Sequence, residues 1–369
     1  MSTTRAAITT TDLSSAKHPG AVPRLVSLDA FRGFTMFWLL GGKPFLMAVA
    51  GLGLGGFSSA VRYEFNHSTW EGMHYYDLVW PCFMLMVGVS IPFSFARERN
   101  MARVWRRAII LFLLGSLRES MSDGVPRLIE LSSALQPIAI AYLVAAYLAL
   151  RSIRTQIATA VLILAGYAAL LAFVPAPGIP AGSYAMNHNL VTAVDQAVIE
   201  RAHPDGWGTA LSTIPTISTT ILGMLLGELL MLGKGSRHNA KVIGLTGLGC
   251  IAAGLALSPF IPVIMKLWTT SYGLMSAGWA CLLFLAFYWI IDMLGYRTWA
   301  LPLVVIGVNA LAAYLGPSIV QVQKMTNPFL KPLASQIGAF GPVLLTGATL
   351  LVNWLLLLWM YRRKIFLRP

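Results

Sequence analysis

The sequence predicts an all-α, polytopic membrane protein of about ten transmembrane helices with both termini cytoplasmic. Three observations predict it. Hydrophobic residues fill 57% of the 369 positions and charged residues only 11%, with mean hydropathy +0.69; soluble domains carry about 25% charged residues. Ten apolar runs of roughly 17–25 residues, the length that crosses a bilayer, follow one another along the chain. Basic residues alternate between the loops these runs define: nineteen fall on one side and seven on the other, with Lys43 inside the first run. Cytoplasmic loops collect Lys and Arg, so the richer side, which holds both termini, is the inner one.

Residues 1 to about 24 are polar and rich in Thr and Ser, and read as a flexible cytoplasmic tail. No short apolar segment with a small-residue cleavage site opens the chain, so no cleaved signal peptide is expected. Residues 25–369 form a single transmembrane domain. Its first run, about 33–52, is entered through "SLDAFRG", where Ser27 or Asp29 can cap a helix. Arg32 there is not explained by the helix dipole, which favours acids at that end. It either snorkels to lipid headgroups or binds a phosphorylated ligand from the cytoplasm. Lys43 lies deeper, in "LLGGKPF"; the flanking glycines and Pro44 predict a broken helix, tolerated where backbone lines a cavity.

The second run, about 77–96, follows the outer loop "FNHSTWEGMHYYDLVWP". That loop gathers His67, Glu71, His74 and Asp77 within eleven residues. His67 is either a loop histidine with its hydrogen bonds satisfied or a group that takes a proton or carries an acyl group. Asp77 either caps the second helix or orients a histidine tautomer, and the two roles are compatible. His74 is the second candidate base, and Glu71 a solvated acid or a substrate contact. The third and fourth runs, about 105–121 and 133–150, flank the outer segment "RLIELSSALQ". The basic cluster "RVWRR", with Arg103, Arg106 and Arg107, lies on the inner side before the third. The fifth run, about 156–175, leads to a long outer loop over 176–210 with His188 and His203.

The sixth run, about 211–232, opens with six hydroxyl residues, which bond back to their own helix or face a ligand. The seventh, about 242–263, ends before "KLWTTSY", an aromatic segment at the outer interface with Trp268 and Tyr272. The eighth and ninth, about 273–292 and 301–319, are joined on the inner side. Asn309, near the middle of the ninth, either glues helices together or holds a ligand carbonyl. A segment over 320–340 leads to the tenth run, about 341–361.

Function classes narrow accordingly. The formal charge is +13, from 27 Lys and Arg against 14 Asp and Glu, but no basic stripe stands on a soluble domain, so nucleic acid is not an expected partner. Cys82, Cys250 and Cys281 sit in apolar runs without metal spacing, and no zinc, serine-hydrolase or phosphate-loop motif occurs. No metal is expected. A multi-pass transporter of a sugar or glycolipid remains a rival, although it predicts inverted repeats that are not seen.

Five segments in order carry a resemblance: "RLVSLDAFRGFTMFW", "NHSTWEGMHYYDLVWPCFMLMVGVSIPFS", "ALQPIAIAYL", "HPDGWGTALSTIPTISTTILGMLLGE", and "KLWTTSYGLMSAGWACLLFLAFYWIIDMLGYRTW" with "GVNALAAYL". Together, over about residues 24–320, they resemble the transmembrane acyltransferase family of heparan-α-glucosaminide N-acetyltransferase, bacterial homologues included. The resemblance implies an acyl-CoA-dependent N-acetyltransferase, with 25–369 as its transmembrane acyltransferase domain. Acetyl-CoA would be the cytosolic donor, and the amino group of a glucosamine-type amino sugar on the far side the acceptor. It places the essential histidine at His67, with Asp77 and Pro81 matching a D-L-x-x-P pattern. Around that centre, Trp70, Glu71, His74, Asn309, Trp268, Tyr272 and Lys43 become candidate acceptor contacts. Arg32, Arg103, Arg106 and Arg107 become candidate holders of the CoA phosphates. The expected setting is the cytoplasmic (inner) membrane of a bacterium, with lipids as partners and a homodimer as the assembly. The chain departs from the pattern in places. It has no asparagine between Gly33 and Phe65, where eukaryotic members carry an active-site one, and Lys43 stands near that position. Pro137 replaces an arginine in "LQP", and counterparts of the eukaryotic luminal domain and additional first span are not expected.

Overall fold

The computed structural model describes residues 25–367 except 127, 130, 132, 133 and 201. The tail expected over 1–24, and Arg127, Arg201 and Arg368 of the charge pattern, lie outside the described residues. Among the described residues the regular structure is helical apart from one hairpin of two-residue strands, β1 (Tyr184–Ala185) against β2 (His188–Asn189). The helices in order are α1 (Val26–Phe37), α2 (Lys43–Ala50), α3 (Gly56–Glu64), α4 (Val79–Arg97), α5 (Met101–Asp123), α6 (Leu135–Leu148), α7 (Ile153–Phe173) and α8 (Leu190–Val198). They continue as α9 (Thr213–Met231), α10 (Ser236–Leu257), α11 (Thr270–Phe287), α12 (Leu301–Val308), α13 (Ala310–Val320), α14 (Val322–Gln336) and α15 (Gly341–Arg362).

Every apolar run of the sequence coincides with helix, but by length and composition fewer than the ten expected spans stand out. Seven helical stretches are long and apolar enough to cross a membrane, or eight if the bent pair α12–α13 is one span. The third expected span, α5, carries Arg103, Arg106, Arg107, Arg118 and Glu119, too many charges for such a segment. The fourth, α6, has 14 residues, about 21 Å of helix against a hydrocarbon core of about 30 Å. Both are nevertheless part of the packed interior: Gln136, Tyr142, Ala145 and Ala146 of α6 are buried.

Two close helix pairs frame the centre. On α4 and α9, Gly88 faces the Thr220 carbonyl and Gly223 faces that of Leu85, so a Cβ at either position would collide with backbone. Small residues at such crossings let helices approach to backbone contact where lipid supplies no hydrophobic drive. Gly33 and Gly307 seat α1 against α12 in the same way. The first span breaks as its Gly-Gly-Lys-Pro sequence predicts: Trp38–Gly42 is a π-helical turn, and Gly41 takes φ +145°. The Leu40 carbonyl loosened there accepts a hydrogen bond from the buried Asn353 amide of α15, 3.2 Å away. The second break, 64°, falls at Asn309 between α12 and α13.

Candidate active site

The segment between α3 and α4 is held at both ends before it presents a side chain. The Glu64 carboxylate accepts from the Tyr75 backbone N–H at 2.8 Å, and the Gly72 N–H donates to the Val263 carbonyl at 2.8 Å. Gly72 has φ +103°, a conformation closed to most side chains. The chain then enters a short 3₁₀ turn, Tyr75–Leu78, that runs straight into α4. Asp77 sits in this turn, fully buried. One oxygen, Oδ2, accepts from the backbone N–H of His74 at 2.9 Å and of Ser68 at 3.4 Å. The other, Oδ1, lies 2.6 Å from His67 Nδ1. One oxygen of the carboxylate thus meets backbone donors and the other meets the imidazole.

A carboxylate oxygen only accepts, so the proton of a neutral His67 sits on Nδ1, and Nε2 keeps a lone pair. The ring is a third exposed and is flanked by Tyr76 at 4.9 Å and the edge of Trp207 at 5.2 Å. It lines a cavity of about 1020 Å³, at the top of the size range of small-molecule sites. Along α4 and its 3₁₀ turn the wall is one helix face, from Tyr76 through Trp80, Phe83, Val87 and Ser90 to Arg97. Those 21 steps correspond to about 30 Å of helix, the thickness of a hydrocarbon core. At the end opposite His67 the wall carries Arg97, Arg103, Arg106 and Arg107, with Arg32 slightly deeper.

The arginines are held differently. Arg32 donates to Ser90 Oγ at 2.7 Å and lies 3.6 Å from Asp29, so it points into the bundle rather than snorkelling. Arg107 stacks over the Tyr142 ring at 4.7 Å, and its buried Nε has no hydrogen-bond partner. Arg103 pairs with Glu98 at 2.6 Å, both about half exposed. Fork-shaped guanidinium groups converging on one opening suit a polyanionic group such as a phosphate. Further along the wall, Arg118 pairs with Glu119 at 2.5 Å and lies over Tyr314 at 4.6 Å, a polar station that the sequence reading did not single out.

Other expected contacts fall outside the cavity. Trp268 and Tyr272 are buried in the packed core, off the cavity wall. Trp268 packs edge-on against Trp80 at 5.1 Å, and the Tyr272 hydroxyl donates to the Asp77 carbonyl at 2.7 Å, bracing the carboxylate's backbone. Asn309, also buried, spends its side chain on the C-terminal segment, through the Ile365 carbonyl at 3.0 Å and the Leu367 N–H at 3.2 Å. Trp70 donates to the Tyr184 carbonyl at 2.8 Å and anchors the hairpin. His74 Nδ1 lies 2.9 Å from the Asn66 carbonyl, its ring against Tyr63 at 4.2 Å, and Glu71 is exposed. Lys43 Nζ lies 3.9 Å above the Tyr76 ring, one residue removed from His67. Helical hydroxyls of the sixth run mostly bond back to backbone, as for Thr216 to Thr213 at 2.6 Å.

The 203–209 turn is what sequence reasoning missed. His203, Trp207 and Thr209 share the cavity wall with His67. His203 Nδ1 accepts from the Asp205 backbone N–H at 3.2 Å, which leaves its proton on Nε2, the reverse of His67. The turn is tied down by Asp195, whose buried carboxylate accepts from the backbone N–H of Thr209 at 2.8 Å and Ala210 at 2.9 Å. Burial pushes the Asp195 carboxyl above its ordinary range even though those two hydrogen bonds pull the other way. "HPDGWG" held the signal: a histidine and a tryptophan around a Pro-Asp-Gly turn, just before a hydroxyl-rich helix. Among the described residues no group of three His, Cys, Asp or Glu side chains is placed to hold a metal ion.

Comparison with known proteins gives two distant relatives. Heparan-alpha-glucosaminide N-acetyltransferase of Homo sapiens is 24% identical over 369 aligned positions, covering 80% of this chain and 53% of that protein. The Mus musculus protein of the same name is 22% identical over 417 positions, covering 93% of this chain and 60% of its own length. The chain therefore spans little more than half the length of the curated relatives it matches. No family model matches.

Proposed function

We propose that this chain is a transmembrane acetyltransferase that carries an acetyl group from cytosolic acetyl-CoA to the amino group of a glucosamine-type sugar across the membrane. One observation carries the reading: a single cavity joins an arginine-lined opening to an imidazole whose tautomer is set by a buried carboxylate. The distant similarity to N-acetyltransferases of an amino sugar supports the same reaction class.

In this reading Arg32, Arg103, Arg106 and Arg107 hold the CoA phosphates at one end, and the pantetheine arm lies along the α4 face. The thioester then meets His67. Nε2 of His67 takes a proton from the attacking amine as the nitrogen–carbon bond forms, and returns it to sulfur as the carbon–sulfur bond breaks. Asp77 holds the ring and stabilises the imidazolium between those steps. The tetrahedral oxyanion needs a donor. A donor on this stretch of wall is His203 Nε2–H, which the Asp205 contact at Nδ1 leaves protonated in the neutral ring. A positioned base contributes roughly 10²–10⁴ in rate.

The test is acetyl transfer from labelled acetyl-CoA to glucosamine by purified protein. His67→Ala is expected to abolish transfer while the protein stays folded; transfer at the unsubstituted rate would overturn the assignment. The broken helices at Gly41 and Asn309 favour a second reading, a transporter of a sugar or glycolipid. Glucosamine uptake into proteoliposomes lacking acetyl-CoA, unaffected by His67→Ala, would support that reading instead.

A further inference from the structure

We infer that Lys266 is a positioning residue of the reaction centre, a buried ammonium that clamps the His67 loop to the turn carrying His203 and Trp207. The inference rests on the proposed function for its kinetic consequence and on geometry alone for the clamp. Lys266 precedes α11, and only 9% of it is exposed. A buried lysine normally pairs with a carboxylate, because an uncompensated charge is costly away from water. Among the described residues Lys266 has none within 4.0 Å.

Its protons go instead to two backbone carbonyls from different loops. Nζ donates to Thr69 at 3.0 Å, two residues beyond His67, and to Asp205 at 2.9 Å, two residues beyond His203. The backbone of the same segment repeats the pattern. The Val263 carbonyl accepts from Gly72 at 2.8 Å, and the Lys266 carbonyl accepts from Gly208 at 2.9 Å. The stretch 263–266 therefore grips the histidine loop and the 203–208 turn with main chain and side chain together. Trp207 sits at the junction, its ring edge on His67 at 5.2 Å and its face 5.9 Å from Lys266 Nζ.

A neutral side chain of similar length would fill the same space without the desolvation cost of a charge. The charge gives two strong carbonyl contacts that no apolar residue makes, and sets a positive charge 5.9 Å from the Trp207 ring that borders His67. Loosening the clamp lets His67 and the opposite wall drift apart, and a misplacement of about 1 Å can cost about 10²-fold in rate.

The experiment compares Lys266→Met with the unsubstituted full chain in detergent. Amide hydrogen exchange is followed by mass spectrometry, and acetyl transfer by varying acetyl-CoA. Exchange over 66–74 and 203–208 is expected to accelerate about tenfold or more, with α4 and α9 unchanged. Alongside this, kcat falls about 100-fold while the KM for acetyl-CoA, set at the arginine end, stays within about twofold. A general loss of packing would raise exchange in every helix and move both constants. Unchanged exchange in both loops, or an unchanged kcat, overturns the inference. If Lys266→Met does not fold, Lys266→Gln, an N–H donor on a shorter stem, carries the same comparison. Lack of transfer by the unsubstituted protein contradicts the proposed function, and the exchange comparison then decides the clamp by itself.

Discussion

Asp77→Asn separates the two roles of one buried side chain. The carboxylate gives Oδ2 to the backbone N–H groups of His74 and Ser68 and Oδ1 to His67 at 2.6 Å. An asparagine whose oxygen stays with the backbone donors turns its NH₂ toward His67 Nδ1. That nitrogen must then accept, the ring proton moves to Nε2, and the lone pair facing the cavity is lost. In a serine-protease triad the same exchange costs about 10⁴ in kcat. The expected fall here is about 10³–10⁴, or roughly 4–5.5 kcal/mol at 1.36 kcal/mol per tenfold. Stability should change far less. Two capping hydrogen bonds persist, and replacing charged by neutral acceptors costs on the order of 1–2 kcal/mol. The assay is acetylglucosamine formation by mass spectrometry, with thermal unfolding followed on the same preparations. A variant that keeps more than a tenth of the unsubstituted kcat would refute the tautomer argument. So would a variant that unfolds at the assay temperature, since the backbone caps were taken to survive.

Three further outcomes follow from other parts of the site. Replacing Arg106 and Arg107 together by Met should raise the KM for acetyl-CoA at least about tenfold, the loss of one or more charge-assisted contacts, with kcat little changed; initial-rate kinetics would show the opposite if these arginines act in chemistry. His203→Phe should lower kcat about 10²–10³-fold, the cost of one oxyanion donor, and His203→Gln should recover part of it; equal rates for the two would assign the oxyanion elsewhere. Asp195 ionises in the unfolded chain at lower pH than in the folded one, because burial holds its folded carboxyl up. It therefore favours folding most under acid conditions, and that contribution falls as pH rises from the ordinary carboxylate range to the raised folded value. Asp195→Asn should flatten the unfolding temperature across that window; a slope matching the unsubstituted protein would contradict this.

Much of the fold was legible because lipid leaves few solutions: apolar runs become helices, and the Gly-Gly-Lys-Pro break shows as a π turn. The span count was less legible. α5 and α6 are helices that hydropathy selects, yet the arginines of one and the 14 residues of the other leave both outside the seven or eight stretches long and apolar enough to cross a membrane. At the site, His67 and Asp77 lie ten residues apart, and their contact was readable as a triad-like pair. The partners that hold them were not. Lys266 lies 197 positions from Thr69, and Tyr272 lies 195 from Asp77; no local pattern records such contacts. The same holds for Asn309 and Trp268: a polar or amphipathic residue inside an apolar run marks a constraint, but not whether ligand or protein satisfies it. Asn309 satisfies protein, through the C-terminal segment.

The account depends on the cavity joining opposite faces of the membrane. Sided labelling tests that most directly, after Cys82, Cys250 and Cys281 are replaced by Ala. Single cysteines at Asn66→Cys, beside His67, and Arg99→Cys, between α4 and α5, would be exposed in sealed vesicles to a membrane-impermeant maleimide. The account predicts that the two are modified from opposite sides; modification of both from the same side would contradict it.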